Sequence, residues 1–291
     1  MKKAPIQLNI EKMYPIKPVG QIKNILVVGC GGTGSYVVPN LVRLLSTLKV
    51  ATCLTLADAD VVEDKNLIRQ NFVKADVGKN KAEALARRYS TAFGISIQAI
   101  PKFLETAASI GETLTNAQSN GITFGREIPL VISCVDNIKA RKFIIDALQT
   151  YYPNGAYLID CGNEDISGQV LLSVIRPPQD VGFSKGNFPT PTVFDLYPEL
   201  NERYKTEKLA SELSCAEMAV SSPQYGFVNL NAATIALNFI DALLGNKPIT
   251  TYMVEFTINN KFSQRSLSKS QLEGWANLNA TKFRKDQNLF D

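Results

Sequence analysis

The sequence predicts an α/β protein with a doubly wound, mainly parallel, Rossmann-like sheet and an antiparallel C-terminal extension. Short apolar runs typical of buried strands recur at residues 25–28, 51–56, 129–134 and 156–160. Between the first two lie a glycine-rich turn and a stretch, residues 35–48, with the length and apolar content of a helix. Near the end, residues 251–266 alternate as two strands around an Asn259-Asn260 hairpin turn.

The glycine turn is the first sign of a ligand site. Gly29-Cys30-Gly31-Gly32-Thr33-Gly34 fits the pattern G-x-G-x-x-G, with Gly32 inside the same expected nucleotide site. Gly29 permits a tight turn, Gly31 lets a ligand approach the backbone, and Gly34 allows the helix to pack closely. A phosphate can then bind the free N–H groups at the helix N-terminus. Asp58, after the second strand, would accept hydrogen bonds from ribose hydroxyls, so this part of the chain fits an NAD-dependent oxidoreductase equally well.

A polar and cationic set just beyond the second strand favours ATP over NAD. Its members are Asn66, Arg69, Gln70 and Lys81. A triphosphate needs cations to hold and neutralise it, and arginine and lysine are the usual partners of phosphate oxygens. An oxidoreductase would leave this set unexplained.

The motifs in this region resemble those of the ThiF/MoeB/HesA family, whose adenylating fold is shared with ubiquitin-activating enzymes. The matching signature is Asp58-x-Asp60, Asn66-Leu67-x-Arg69-Gln70 and Gly78-x-x-Lys81. The resemblance implies adenylation of the C-terminal glycine carboxylate of a small ubiquitin-like or sulfur-carrier protein by Mg-ATP, with release of pyrophosphate. By their charge, we assign the ribose to Asp58 and Asp60 and the phosphates to Asn66, Arg69 and Lys81, and we expect Gln70 among the nucleotide-binding residues.

A second acidic position follows the strand at residues 129–134. Asp136 would point to the phosphates, because ligands in open α/β sheets lie beyond the carboxyl ends of the strands. A carboxylate there suits Mg²⁺, which prefers oxygen ligands. The family's Asp-Asn pair and following Arg correspond to Asp136, Asn137 and Arg141. An alternative is that Asp136 caps the helix that begins near Asn137.

The region after the central strands predicts the acceptor side of the site. Gly168-Gln169-Val170 resembles the start of the family's antiparallel extension. Residues 176–214 are rich in proline and charge and correspond to the family's crossover loop, with one short helix expected there. Cys215 follows in a Cys-Ala-Glu motif and is the candidate nucleophile, which would take the acyl group as a thioester or carry sulfur. The alternative is an inert, buried thiol.

Composition limits the class of protein. The chain has 291 residues, 45% hydrophobic and 20% charged, which suits one large α/β core. We expect an N-terminal arm at residues 1–20, an adenylation domain at 21–267 and a polar tail at 268–291. The net charge of +4 does not indicate a nucleic-acid partner. Without a signal peptide or eighteen consecutive apolar residues, we expect a cytoplasmic protein with no membrane contact.

Cysteine and histidine usage restricts the chemistry further. The five cysteines never form C-x-x-C, which favours reduced thiols and argues against the zinc site that many family members carry. The absence of histidine excludes Ser-His-Asp and Cys-His mechanisms and any His-ligated metal. Carboxylates, cations and a thiol remain.

Quaternary structure and substrate stay open at this point. The family implies a homodimer in which an arm arginine reaches the partner's phosphates, but this arm has only lysines. Either a lysine substitutes or the contact is absent. Without zinc cysteines and with a proline-rich crossover loop, the sequence resembles the stand-alone ThiF-type proteins of bacterial mobile-element systems, the PRTRC type. The alternatives are an NAD-dependent oxidoreductase, a non-catalytic nucleotide-binding subunit and a peptide-adenylating enzyme. Residues 102–128 carry no chemistry that we identify.

Overall fold

A single eight-stranded sheet organises the protein around its first strand. The computed structural model describes residues 22–50, 52–119, 128–175, 190–212, 226–258, 262–268, 270–272 and 274–275, with backbone alone at 116–119 and 210. The strands are β1 (Asn24–Val28), β2 (Cys53–Ala57), β3 (Ile97–Ile100), β4 (Leu130–Ser133), β5 (Ala156–Asn163), β6 (Ser167–Ile175), β7 (Met253–Thr257) and β8 (Ser263–Leu267). All five residues of β1 are buried, as expected of a strand covered on both faces.

The strand order confirms the predicted fold class. It runs β3-β2-β1-β4-β5-β6-β7-β8. The first five strands pair in parallel, whereas β5–β6, β6–β7 and β7–β8 pair antiparallel. The order reverses at β1, which lies between β2 and β4. In open α/β sheets this switch point is where ligands bind, so the fold places a crevice beyond Val28.

Helices cover both faces of the sheet. They are α1 (Gly32–Leu48), α2 (Lys81–Phe93), α3 (Ala107–Ser119), α4 (Ile138–Tyr151), α5 (Val193–Leu196), α6 (Leu200–Thr206) and α7 (Gly226–Leu244). Helix α1 packs against both α2 and α7, and α3 packs with α4, which contacts α6. Right-handed crossovers running in opposite directions from β1 put the two groups on opposite faces.

Helix α7 is apolar enough to be mistaken for a membrane span. By length and composition it could cross a bilayer, but half of its most apolar 18-residue stretch is buried inside the protein. It packs against α1, β5 and β6 and presents buried residues such as Ala232, Ala236 and Ile240. These contacts are those of a core helix.

Most elements lie where the sequence predicts them, with ends shifted by a few residues. The crossover segment differs, because residues 190–212 contain two short helices and a 3₁₀ turn at Ala210–Glu212 where one short helix was expected. The expected turn at Asn259-Asn260, the whole N-terminal arm and Cys215 lie outside the described residues.

Candidate functional site

The glycine turn between β1 and α1 has the geometry that its sequence implies. Gly29 adopts a φ of +89°, and a Cβ there would lie 2.7 Å from the carbonyl oxygen of Cys134. A Cβ at Gly34 would overlap the carbonyl oxygen of Gly29 outright. Only glycine fits either position, so α1 begins directly against the end of β1.

The other two glycines face different neighbours. A Cβ at Gly31 would lie 3.8 Å from Nε2 of Gln70 and 4.0 Å from Nζ of Lys81, so its open side faces an amide and an ammonium. A Cβ at Gly32 would lie 2.6 Å from the side-chain oxygen of Asn229, so this glycine lets α7 approach. The first N–H groups of α1 have no acceptor within the helix, which makes the space beside Gly31 suited to an anion.

Asp58 closes the turn from the β2 side. Its Oδ2 accepts a hydrogen bond from the backbone N–H of Cys30 at 2.6 Å, and its Oδ1 accepts one from the N–H of Asp60 at 2.8 Å. Burial raises the pKa of this carboxyl above its ordinary 3.8, and Asp60 raises it further, while Lys81 and the two backbone hydrogen bonds lower it. Asp58 therefore ties the two βα turns together at the position predicted for ribose binding.

Lys81 is the buried cation of the site. It begins α2, is only 6% exposed, and lies with its Nζ 2.8 Å from Oδ2 of Asp60. Asn80 fixes this corner, because its Nδ2 donates to the carbonyls of Asp58 and Asp60 and its Oδ1 accepts from the N–H of Glu83. Sequence reasoning gave Asn80 no role. A nearly buried ammonium beside a glycine turn is what a phosphate-binding site requires.

A short 3₁₀ helix, Asp64–Ile68, positions the remaining predicted phosphate contacts. Asn66 is buried, and its side-chain Oδ1 accepts a hydrogen bond from the backbone N–H of Glu63. The backbone carbonyl of Asn66 accepts hydrogen bonds from the N–H groups of Arg69 and Gln70. All three predicted residues then line one open cleft of about 1470 Å³, together with Gly31, Asp58 and Lys81. The buried Oε1 of Gln70 has no hydrogen-bond partner in the described part of the chain.

Asp136 and Asn137 occupy the opposite lip of this cleft. Asp136 is exposed and lines the cleft. Asn137, not Asp136, caps α4: its Oδ1 accepts the N–H of Ala140 at 2.9 Å. The alternative in which Asp136 is the cap is therefore wrong. Asn137 also donates to the carbonyl of Lys208 at 2.7 Å, so both ends of its amide have protein partners.

Arg141 lines the cleft and also connects the ends of two strands. It pairs with the buried Asp160 at 2.8 Å and donates to the carbonyls of Val135 and Cys161 at 2.8 Å each. Because these groups follow β4 and lie on β5, the guanidinium fixes the relative position of the two strand ends. This role was not apparent from the sequence.

The crossover segment is fastened to both sides of the cleft. The Glu105 carboxylate accepts from the N–H of Ser211 at 2.9 Å and from its hydroxyl at 2.5 Å. On the α4 side, the N–H of Lys139 donates to Glu207 at 2.8 Å. Residues 102–105 also line the cleft, although no chemistry was identified for them from the sequence.

A buried polar cluster behind the glycine turn was also missed. The hydroxyl of Thr33 donates to Oδ1 of Asn229 at 3.2 Å, and Nδ2 of Asn163 donates to both of these side chains. Nδ2 of Asn229 is buried without a hydrogen-bond partner among the described residues. The only sequence signal was an asparagine inside the apolar run of α7.

The fold and the cleft together place the chain in the doubly wound α/β class, with a glycine turn that faces a buried lysine at the switch point of the sheet. The chain belongs to the ThiF family, whose sequence model matches residues 20–274.

Among its relatives is the ubiquitin-like modifier-activating enzyme 5 of Drosophila mojavensis, 31% identical over 259 residues, 86% of this chain and 60% of the relative. The NEDD8-activating enzyme E1 catalytic subunit of Saccharomyces cerevisiae is 32% identical over 152 residues, 50% of this chain and 46% of the relative. The chain thus spans less than two thirds of the length of these relatives.

Solved structures agree on the fold. E. coli MccB with succinimide has a TM-score of 0.56 at 17% identity, over 85% of this chain and 64% of that one. PaaA has a TM-score of 0.55 at 16% identity, with the same coverage. E. coli MccB has also been solved with ATP, at a TM-score of 0.55 and 16% identity, over 89% of this chain and 66% of that one.

Proposed function

We propose that this protein uses ATP to adenylate the C-terminal glycine carboxylate of a small ubiquitin-fold protein, with release of pyrophosphate. The observation that carries the proposal is Lys81, a nearly buried ammonium beside the open face of Gly31. The names of the sequence relatives, activating enzymes for ubiquitin-like modifiers and for NEDD8, support the same chemistry.

The cleft suits ATP better than NAD. Gln70 and Lys81 face Gly31 at the N-terminus of α1, and Arg69 lines the same cleft. Together they would supply two cations and an amide group to a chain of three phosphates. Asp58 lies at the end of β2, where a ribose hydroxyl would replace one of its backbone hydrogen bonds. An NAD-dependent oxidoreductase would use the turn and Asp58 but would leave the cationic side of the cleft without a purpose.

The residues at the cleft lip suit a magnesium ion only with help from the nucleotide. Within the described ranges, no group of three or more Cys, Asp or Glu could hold a metal ion. The exposed Asp136 supplies one carboxylate, and Mg²⁺ commonly takes one or two carboxylates together with phosphate oxygens and water. The ion would supply positive charge to the phosphates, and Asp136 would hold it there.

The chain's own residues would act mainly through charge. The substrate carboxylate attacks the α-phosphorus, the bond from that phosphorus to the β-phosphate oxygen breaks, and pyrophosphate leaves. Arg69 and Lys81 would stabilise the negative charge that develops on the leaving group. Removing one such preorganised group typically costs on the order of a hundredfold to a thousandfold in rate.

The acceptor side of the cleft supports a partner with an extended tail. The cleft continues from the nucleotide residues along the start of β6 to Glu255 on β7 and Arg265 on β8. A long open groove of this kind fits an extended C-terminal tail more readily than a compact metabolite. A short peptide is the alternative substrate, since MccB has been solved with the peptide MccA.

Several finer features belong to this proposal. The Cys215 thiolate would attack the acyl carbon of the adenylate to form a thioester, with AMP leaving; the alternative is that Cys215 carries sulfur. The chain would act in the cytoplasm as a homodimer, without zinc, and with the domain limits given above. Of the predicted nucleotide contacts, Gly29, Gly32 and Gly34 shape the turn, and Asn137 contributes through the adjacent α4 N-terminus.

ATP–pyrophosphate exchange with candidate ubiquitin-fold proteins ending in glycine tests the proposal. We expect exchange to be lost in Asp136→Ala and retained in Cys215→Ala, because the thiol acts after adenylation. Asp146→Ala is the matched control, since this carboxylate pairs with Lys142 on α4, outside the cleft. Tight NAD binding without exchange would favour an oxidoreductase. ATP binding without exchange for any protein or peptide would favour a non-catalytic subunit.

A further inference from the structure

Two cysteines lie side by side at the floor of the nucleotide cleft. Ser133, the last residue of β4, pairs with Asp160 of β5, so the residues that follow them, Cys134 just beyond β4 and Cys161 within β5, lie near each other. Adjacent strands lie about 4.7–4.9 Å apart. That separation is within the range of Cα distances that a disulfide spans. Both cysteines line the cleft.

The Cys161 thiol lies close enough to Cys134 to be affected by it. Cys134 and burial together raise the pKa of the Cys161 thiol well above its ordinary value. Arg141 connects the two strand ends, because it donates to the carbonyls of Val135 and Cys161. The fold therefore places the two cysteines at neighbouring positions of adjacent strand ends.

Cys134 also supports the glycine turn. Its carbonyl oxygen lies 2.7 Å from the place that a Cβ of Gly29 would occupy. Its own Cβ lies 3.5 Å from the corresponding point at Gly34. If the Cys134 side chain moves toward β5, its contacts with Gly29 and Gly34 change. Phosphate binding would depend on the turn that these glycines form.

We propose that Cys134 and Cys161 form a reversible disulfide that weakens nucleotide binding, which makes this pair an oxidative modification site. The effect on ATP rests on the proposed function, whereas the disulfide does not. The other described cysteines have no such neighbour in the sheet: Cys53 pairs with Asn24, and Cys30 is buried in the glycine turn.

The chemistry requires a low-molecular-weight disulfide such as glutathione disulfide as the oxidant. Cys134 is the more accessible of the two and reacts first: its thiolate attacks one sulfur of the oxidant, forms a mixed disulfide and releases one glutathione thiolate. The Cys161 sulfur then attacks the Cys134 sulfur, its proton passes to the second glutathione as that group leaves, and the cross-strand S–S bond forms. Two protein thiols are oxidised and one glutathione disulfide is reduced.

The test uses the full-length protein in glutathione redox buffers. We expect peptide mapping to find a Cys134–Cys161 cross-link and calorimetry to find ATP affinity reduced roughly tenfold or more, with dithiothreitol restoring both. Cys161→Ala should stop at the mixed disulfide with glutathione on Cys134. Cys53→Ser is the control and should form the cross-link like the wild type.

A second measurement avoids variants in the buried pair. Phenylarsine oxide binds two adjacent thiols with release of water, so the reduced protein should take up the arsenical and shield both cysteines from alkylation. Oxidation of exposed Cys53 with no cross-link, together with no arsenical at the pair, would overturn the proposal. A cross-link that forms without loss of ATP affinity would overturn its effect on the nucleotide. A cross-link in a protein whose reduced form binds no ATP would instead refute the proposed function.

Discussion

Lys81→Met is the substitution that most directly tests the charge of the cleft. Methionine keeps the length and most of the volume of the lysine stem, so α2 can pack as before while the ammonium is lost. The Nζ atom lies 2.8 Å from Asp60 and faces the open side of Gly31. A cation about 4 Å from a phosphate charge is worth about 4 kcal/mol at the effective dielectric of a protein surface. This figure agrees with a loss of about 10²–10³ in exchange rate.

Folding should respond much less than activity. The Asp60 side chain is 45% exposed, so it stays hydrated without Lys81, and ion pairs of this kind contribute about 0–1 kcal/mol. We therefore expect the unfolding free energy in urea to change by less than about 1 kcal/mol. Lys74→Met is the matched control, because its ion pair with Asp64 is exposed and lies outside the cleft. Exchange within a few fold of wild type, or a loss of stability that accounts for the lost activity, would refute the reasoning.

Three further outcomes follow from buried groups. Gly34→Ala should lower the unfolding free energy by about 1–3 kcal/mol or more, measured in urea, because its Cβ would overlap the Gly29 carbonyl oxygen. Asp58 has a pKa raised above 3.8 in the folded protein, so the unfolding free energy should fall as the pH rises from 3.8 through the raised value. Asp58→Asn should remove this fall, measured as the unfolding free energy across that pH range. Arg141→Met should destabilise by about 3–5 kcal/mol by leaving Asp160 unpaired, and the double variant with Asp160→Leu should recover most of that loss in a double-mutant cycle.

The sequence was sufficient for the fold and for the candidate residues that line one side of the cleft, because both depend on local spacing. A buried strand, a turn with glycines at fixed intervals, and a second strand ending in Asp58 can each be recognised from a few neighbouring residues. Lys81 was recognisable for the same reason, since it lies a fixed distance beyond Arg69. These groups meet because parallel strands end at the same edge of the sheet.

The remainder of the cleft depends on contacts between distant parts of the chain. Glu105 and Ser211 are 106 residues apart, and Thr33 and Asn229 are 196 apart. No local pattern marks such partners. The helix cap illustrates a finer difficulty: Asp136 and Asn137 are both good N-cap residues, and only the path of the backbone decides that Asn137 takes that position.

The strand order also has a consequence for how the chain is made. Strands β1, β2 and β3 are neighbours both in sequence and in the sheet, and β4 then joins the free side of β1. The strands β5 to β8 add outward one after another from there. A ribosome releases the N-terminal part first, so the glycine turn and the strands beside it can assemble while β5 to β8, which line the far end of the cleft, are still being synthesised.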